Sequence, residues 1–599
     1  VARRNEEVEA VLQEYADLIA ITRGDAFKAR AYEKAARAVG GCARDVSRLS
    51  EEELRGIPGV GSSIARKVTE YLRTGTVGAV EERRAMIPAG VRELITIPTL
   101  GPKKAMTLYE DLRVSSVEEL AEAIRAERLR GLKGFGPKTE ENILHGIALL
   151  QQAGARTDLH TATTVAEEVV AGLSALAGCE KCAYAGSLRR MRETVGDIDV
   201  LVAARRSGPF MDALAALPAT AEVIAHGDKK TSVRTVKGLH VDLRVLPPRS
   251  WGAGLQYFTG SKAHNIRTRT MAVRAGLKLS EYGIFQAPGK GTDGAGDAGK
   301  GTEGREDREG KGGPEGKALA SRTEEEVYAR LGLPWIPPTL REDRGEIEAA
   351  LGGGLPELVT EDAVRGDLHT HTDLTDGLAP LEEMAEAAAA RGYAYYAITD
   401  HAPDLYMEQM TDGKALAQRR RVRKLDGEHR GMRLLHGTEL NIGPDGEVDW
   451  PAEFLDGFDL CVASIHSHFG LGRAAMTKRL LRACENPYVN IIGHPTTRMI
   501  GRRPGVDADW DAVWAACART GTALEVNAQP DRLDLRDEDI ARARELGAKF
   551  AIDTDAHSVP HLDFLRYGVG TAQRGWLTED DVINTWPLAR LKRFLRKNR

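Results

Sequence analysis

The chain has 599 residues, 42% of them hydrophobic and 29% charged, and at roughly 150 residues per domain that length suggests about four folding units. No run approaches the roughly 20 consecutive apolar residues of a membrane-spanning helix, and the opening residues lack the apolar block of a secretory signal. Six cysteines are too few for a disulfide framework. These features exclude a membrane protein and lead us to expect a cytoplasmic monomer. The net charge of −5 is uneven: residues 1–150 carry +1 and residues 361–599 carry −7, while residues 181–286 alone carry +9. A local excess of that size is the footprint of a nucleotide or nucleic-acid site. Ten of the fifteen histidines follow residue 360, so the two halves are expected to do different chemistry.

Residues 1–150 read as short amphipathic helices joined by Gly-rich turns. One pattern recurs in LRGIPGVGSSIARKVTEYL, LITIPTLGPKKAMTLYEDL and LRGLKGFGPKTEENILHGI: a helix end, a tight glycine turn, then a helix. Gly59, Gly61, Gly101, Gly134 and Gly136 mark these turns. Such a turn brings backbone N–H groups and a helix N-terminus against a phosphate without reading sequence. The pattern is identified as the helix-hairpin-helix motif, placed in an N-terminal DNA-binding domain, 1–90, and a fingers-like pair of hairpins, 91–155. FKARAYEKAA followed by the first hairpin resembles the N-terminal domain of family X DNA polymerases. That resemblance implies a 5′-phosphate grip by Lys28 and Tyr32. It also matches Lys67 to the Schiff-base lysine of the lyase-competent members, although Ser63 stands where the family has a phosphate-binding lysine. A plain DNA contact by Lys67 is the other reading.

From 156 to 250 β-branched runs alternate with helical stretches in an α+β pattern. In AGSLRRMRETVGDIDVLVA, Asp197 and Asp199 sit two apart, so on a strand both carboxylates point to one face. Asp242, in HVDLRV, is a third on another short strand. Three converging carboxylates are costly without cations, and hard oxygen ligands suit Mg²⁺ or Mn²⁺. The string resembles the nucleotidyltransferase palm, which implies that Gly186, Ser187 and Arg190 hold a triphosphate. LQYFTGSKAHNIRTRTMAVRAG, within a nucleotide-selecting subdomain at 251–342, is similar to the family X element beside the incoming nucleotide. The similarity implies that Tyr257 and Phe258 crowd the 2′ position, that Gly260 belongs to the nucleotide site, and that Asn265 and Arg269 meet base edge and template. His240 stands where characterised members often carry Arg. Residues 288–317 are Gly-rich, charged and nearly free of aromatics, as expected of a disordered loop, and 343–360 read as a linker.

From 361 to 599 apolar runs alternate with helical segments, the signature of a parallel βα barrel. His369, His371, Asp376, His401, Glu439, His466, His494, Asp555 and His557 fall at or just beyond the ends of those runs. Strand C-termini converge on one face of a barrel, and imidazole with carboxylate suits Zn²⁺, Mn²⁺ or Fe²⁺. The set resembles the PHP (polymerase and histidinol phosphatase) domain, whose nine-ligand site holds up to three ions and to which all nine residues correspond. Glu439 takes the bridging role by that resemblance. His468 and Asp400 fall outside the nine. Cys179 and Cys182 form a lone C-x-x-C without a partner pair, and the remaining cysteines read as core residues.

Order and motifs together resemble bacterial family X DNA polymerases with a C-terminal PHP domain. The resemblance implies a gap-filling repair enzyme acting on gapped or primer–template DNA with deoxynucleoside triphosphates, and hence association with the nucleoid. It further implies Mn²⁺-dependent 3′-end trimming by the barrel, with abasic-site cleavage as an additional activity. The alternatives are a barrel acting as a small-molecule phosphatase and a DNA-binding scaffold with an inactive barrel.

Overall fold

The structure is a computed structural model. It describes the chain except residues 1, 23–24, 41, 43, 58, 88–90, 92–93, 95–96, 98–99, 101, 133–134, 137–138, 141–142, 145–146, 148–155, 288–316, 406–409, 429–430 and 598–599. Gly101, Gly134 and nearly all of the expected disordered loop therefore lie outside the described residues. Packing divides the chain into two compact units, Val1–Ala155 with Leu358–Arg599, and Arg156–Glu357.

The helical region of the first unit follows from three- and four-residue apolar spacing. Helix Ala2–Ile21 buries Val8, Leu12, Tyr15 and Ile19 against Ala29, Tyr32, Ala36 and Val39 of helix Ala26–Gly40. A short helix, Glu51–Leu54, starts in a capping box between Ser50 and Glu53, and the glycine turn then leads into helix Ser62–Thr74. A second core gathers Leu94, Leu100, Leu108, Leu120, Leu129 and Phe135 around helices Pro102–Leu112 and Val117–Arg125.

The remainder of the first unit is a seven-stranded parallel sheet in which spatial order equals chain order: Gly366–Asp367, Tyr395–Ile398, Arg433–Asn441, Leu460–Ser464, Ile491–Ile492, Ala523–Asn527 and Phe550–Asp553. Alternation along each strand divides the side chains. Tyr395 and Ala397 enter the inner core, which Trp586, Leu591 and Leu595 plug from below, whereas Tyr396 and Ile398 enter the outer core beneath the helices. The first and last strands do not pair as a ladder, and polar side chains bridge them instead. Asp553 accepts from the Leu368 N–H at 2.9 Å, Thr554 Oγ1 donates to Asp367, and Asn584 donates to the carbonyls of Gly366 and Ile552. Thr370 and Ala556 add a parallel bridge. The barrel is thus nearly closed, with its seam bridged by carboxylate and amide groups.

The second unit holds a mixed five-stranded sheet in the order Lys181–Tyr184, Asp197–Ala203, His240–Leu246, Lys230–Thr235, Thr220–His226. Helices Trp251–Thr259 and Lys262–Arg274, a hairpin at Leu277–Ser280 and Gly283–Gln286, and helix Glu324–Arg330 complete it. Glu346, on helix Glu346–Leu351, is buried and pairs with His264 Nδ1 at 2.7 Å, so the start of the 343–360 segment packs on this unit.

Candidate active sites

In the second unit the strands carrying the aspartates are neighbours. Asp197–Ala203 pairs in parallel with His240–Leu246, which sets Asp199 directly opposite Asp242 and Asp197 opposite His240. Gly186 lies against them with φ +63°, and a Cβ built there would stand 2.5 Å from Asp199 Oδ2. Only glycine allows this turn to approach the carboxylate so closely. Burial pushes the Asp199 carboxyl up to about 7, and the charges of Asp197 and Asp242 push the same way. Asp242 accepts from Ser232 Oγ at 2.6 Å and pairs with Lys230 Nζ at 2.6 Å. A crowded oxygen set of this kind fits hard divalent cations. His240 is exposed, with Arg234 Nε 3.4 Å from its Nε2.

The residues expected around a nucleotide lie in the same unit. Arg190 donates to Glu342 Oε1 at 3.0 Å and to the Thr259 carbonyl. Gly260, with φ +70°, ends helix Trp251–Thr259 and would carry a Cβ 3.2 Å from Arg190 Nη1. Tyr257 and Phe258 meet edge to face at 5.0 Å, with the Arg269 guanidinium 4.7 Å over the first ring and that of Arg244 4.9 Å over the second. The Asn265 amide is engaged with the same helix, donating to the Tyr257 carbonyl at 2.7 Å and accepting from Gln256 at 2.9 Å.

All nine barrel residues come together at the C-terminal ends of the strands. Three groups form: His371, Asp376, His401 and His557; His369, His371 and Asp555; and His401, Glu439 and His466, the candidate ligand atoms of each lying within 4.8 Å of one another. His494 joins the last group through Glu439 Oε1, 3.1 Å from its Nε2. The Nε2 atoms of His369 and His371 face each other at 3.2 Å. His371 Nδ1, His494 Nδ1 and Asp376 Oδ1 are buried without hydrogen-bond partners. Converging nitrogen and oxygen donors with buried, unsatisfied atoms fit divalent metal ions.

The electrostatics follow from this interleaving. Burial acts to lower the imidazoles of His369 and His401, but Glu439 with Glu525 around the first and with Asp376 around the second hold both well above their ordinary value. Burial acts to raise Asp376, Glu439 and Asp555, yet the surrounding histidines keep all three well below the usual carboxylate range. His371 and His494 are pushed down, by burial first and then by His557 and Arg532 respectively.

Comparison with known proteins accounts for nearly the whole chain. Residues 3–77 match the helix-hairpin-helix domain, 91–148 the SAM-like helix-hairpin-helix tandem, 254–342 the DNA polymerase beta thumb and 367–529 the PHP domain. The DNA polymerase/3′-5′ exonuclease PolX of Bacillus subtilis (strain 168) is 36% identical over 575 residues, covering 96% of each chain. The chain belongs to the PolX family. A probable phosphatase of Thermoanaerobacter sp. (strain X514) is 27% identical over 39% of this chain and 95% of its own length. A probable phosphatase of Syntrophotalea carbinolica is 35% identical over 27% of this chain and 64% of its own.

Further side chains hold the candidate residues in place. Glu525 accepts from His369 Nδ1 at 2.6 Å and from the His494 backbone N–H, and so orients two of the nine. Its signal was an acidic residue inside the apolar run TALEVN. Asn441 does the same for His466, its Oδ1 lying 2.7 Å from Nδ1. Asp400 takes hydrogen bonds from Thr372, Thr375 and Gln418, and His468 is exposed on the loop beyond His466. In the helical region Lys67 Nζ lies 5.6 Å over the Tyr15 ring and 5.7 Å over Tyr32, with Lys28 and Arg83 also over Tyr15 at 5.9 and 5.8 Å. Tyr15 and Arg83 thus join the residues expected there. Gly59 takes φ +84°, and Gly61 caps helix Ser62–Thr74 without a side-chain bond. Gly136 accepts from the Thr139 N–H at 2.8 Å.

Proposed function

We propose that this PolX-family chain extends primer 3′ ends at the aspartate cluster and removes 3′ nucleotides at the histidine cluster. The observation that carries the polymerase half is the register that faces Asp199 with Asp242 beside the Gly186 turn. Asp197, Asp199 and Asp242 would hold Mg²⁺ or Mn²⁺, which when bound supply charge neutralisation for an attacking 3′-hydroxyl and a leaving pyrophosphate. Gly186, Ser187 and Arg190 receive the triphosphate. Tyr257 and Phe258, with Gly260 and Asn265, select a deoxyribose, and Arg269 approaches the template. The +9 segment, residues 181–286, tracks the DNA backbone.

In the barrel the nine residues would hold up to three Zn²⁺, Mn²⁺ or Fe²⁺ ions, which when bound lower the pKa of water and polarise a phosphoester. The chain's own contribution is to fix the imidazoles through Glu525 and Asn441 and to exclude solvent from a buried cluster. Gapped or primer–template DNA is positioned by Lys28, Lys67 and the turns at Gly59, Gly61 and Gly136, with the buried Tyr32 ring backing Lys67 and the cytoplasm as the place of action. The test uses gapped DNA and two double variants. Asp197→Ala/Asp199→Ala is expected to lose extension and keep 3′ trimming; His369→Ala/His371→Ala is expected to do the reverse. Retention of the assigned activity in either would refute that half of the assignment.

A further inference from the structure

Arg190 and Glu342 are far apart in sequence and closely joined in space. Each side chain is only 13% exposed, and Nε of the guanidinium lies 3.0 Å from the carboxylate oxygen Oε1. Nη1, on the other side of the fork, donates to the Thr259 carbonyl. The carboxylate is held firmly. Its neighbour Arg341 is fully buried, donates to the Ile336 carbonyl at 2.8 Å and to Glu324 Oε1 at 2.6 Å, and its own carbonyl accepts from the Ser261 N–H at 3.0 Å. Glu324 in turn receives both terminal nitrogens of Arg189, at 2.9 and 2.7 Å. The adjacent arginines of the G-S-L-R-R string are thus each bonded to a carboxylate near the C-terminal end of the unit, but their surroundings differ. The Arg189 carboxylate is shared with a second, buried arginine, whereas Glu342 holds an arginine whose Nη1 lies against the Gly260 turn.

We infer that Glu342 is a stand-in anion for the triphosphate: it competes with an arriving triphosphate for Arg190, yields it on binding, and takes it back as pyrophosphate leaves. The inference rests on the reading of Arg190 as a triphosphate ligand and adds the residue that sets the strength of that contact. A guanidinium presents its donors in a fixed fork, so a phosphate oxygen competes for the same directions. The Thr259 carbonyl is a neutral partner of the fork, whereas the Glu342 carboxylate competes as a charge. Glu342 therefore acts through Arg190 as a positioning residue and does not meet the reacting atoms.

The experiment measures deoxynucleotide Kd on gapped DNA with a chain-terminated primer, and inhibition by pyrophosphate, for the full chain and for Glu342→Gln, Arg190→Ala and the double variant. Glutamine keeps the shape and a hydrogen bond but removes the charge. Both ligands are expected to bind about fivefold more tightly to Glu342→Gln, the difference between a charged and a neutral hydrogen bond. The gain should vanish in the Arg190→Ala background. Glu342→Asp, which retains the charge, should bind both ligands as the parent does. Barrel 3′ trimming and thermal unfolding of each variant report whether the fold is kept. Weaker or unchanged binding by Glu342→Gln, or the same gain without Arg190, overturns the inference. If Arg190→Ala alone leaves deoxynucleotide binding unchanged, the reading of Arg190 itself falls, and the inference falls with it.

Discussion

In the palm, Asp197, Asp199 and Asp242 crowd onto two adjacent strands, with the exposed His240 opposite Asp197 and Lys230 leaning on Asp242. In the barrel, three carboxylates are interleaved with six imidazoles, and each acid is paired with at least two histidines. Burial first, and then the charges of Asp197 and Asp242, raise the Asp199 carboxyl to about 7, whereas the barrel acids are stabilised as anions by their neighbours. Exposure divides them the same way. Asp197 is exposed and Asp242 half-buried, while His369, His371 and Glu439 are at most 1% exposed. One chain thus carries an open carboxylate cluster on a strand pair and a candidate metal site whose donors are buried or half-buried within the fold.

The largest effect that could break this contrast is on retained metal. Passed through a chelating column, the parent chain and Asp197→Ala/Asp199→Ala are expected to keep their tightly bound metal, and His369→Ala/His371→Ala to lose nearly all of it by elemental analysis. Equal retention in the three would show the barrel to be no more preformed than the palm.

Acid should separate the units next. Burial acts to raise the Glu324 carboxyl, but hydrogen bonds and charge from Arg189 and Arg341 hold it down at about 2, against an ordinary 4.5. Because the folded value is the lower one, the stabilisation is complete above the ordinary value and is lost as pH falls from about 4.5 towards 2. It amounts to up to about 3 kcal/mol. Trp335 donates to Glu324 at 3.1 Å and so reports on this site. Its fluorescence in thermal melts between those pH values should show the loss, and Glu324→Gln should already be destabilised at neutral pH with that acid-dependent step removed. An unchanged acid step in Glu324→Gln would disprove the assignment.

A smaller effect is expected from Glu525→Gln. This change leaves all nine candidate ligands in place but weakens the hold on His369 and His494. Loss of an orienting partner of this kind costs about 10- to 100-fold in metal affinity or activity. Metal titration of stripped protein, with polymerase extension as the unaffected control, measures it. Titration identical to the parent would mean that the imidazoles are held by packing alone.

The same contrast explains what sequence could reveal. The candidate barrel ligands were legible because they sit at or just beyond the ends of apolar runs, and a parallel barrel brings such positions together whatever their sequence distance. The palm aspartates were legible because a two-residue spacing places side chains on one face of a strand. The partners of those residues were hidden for a physical reason. Lys230 and Ser232 reach Asp242 only through antiparallel pairing of Lys230–Thr235 with His240–Leu246, and Glu342 meets Arg190 across 152 residues. Tyr15 read as one more apolar position of an amphipathic helix, and only the packing of Ala2–Ile21 against Ala26–Gly40 sets its ring 4.7 Å from Tyr32. The closing of the barrel seam by Asp367, Asp553 and Asn584 had no local signature either, since buried carboxylates in apolar strands equally suggest ligands.

The finest test concerns Lys230. Its ammonium lies 2.6 Å from Asp242 Oδ2, with 38% and 21% of the two side chains exposed. The pair therefore holds a palm carboxylate by a lysine ammonium that a metal ion would have to displace, whereas the described ion-pair partners of the barrel acids are the candidate ligand imidazoles themselves. An ion pair this open to solvent contributes about 0.5–1 kcal/mol, which corresponds to about two- to fivefold in binding. Lys230→Gln is accordingly expected to lower the Mg²⁺ concentration for half-maximal extension by that factor, at saturating DNA and nucleotide, while leaving the metal dependence of 3′ trimming unchanged. A requirement that rose instead would mean that Lys230 serves DNA or nucleotide more than it restrains Asp242. In that case the openness of the palm would be set by its exposed carboxylates alone, since Ser232 would still orient Asp242 from the same strand.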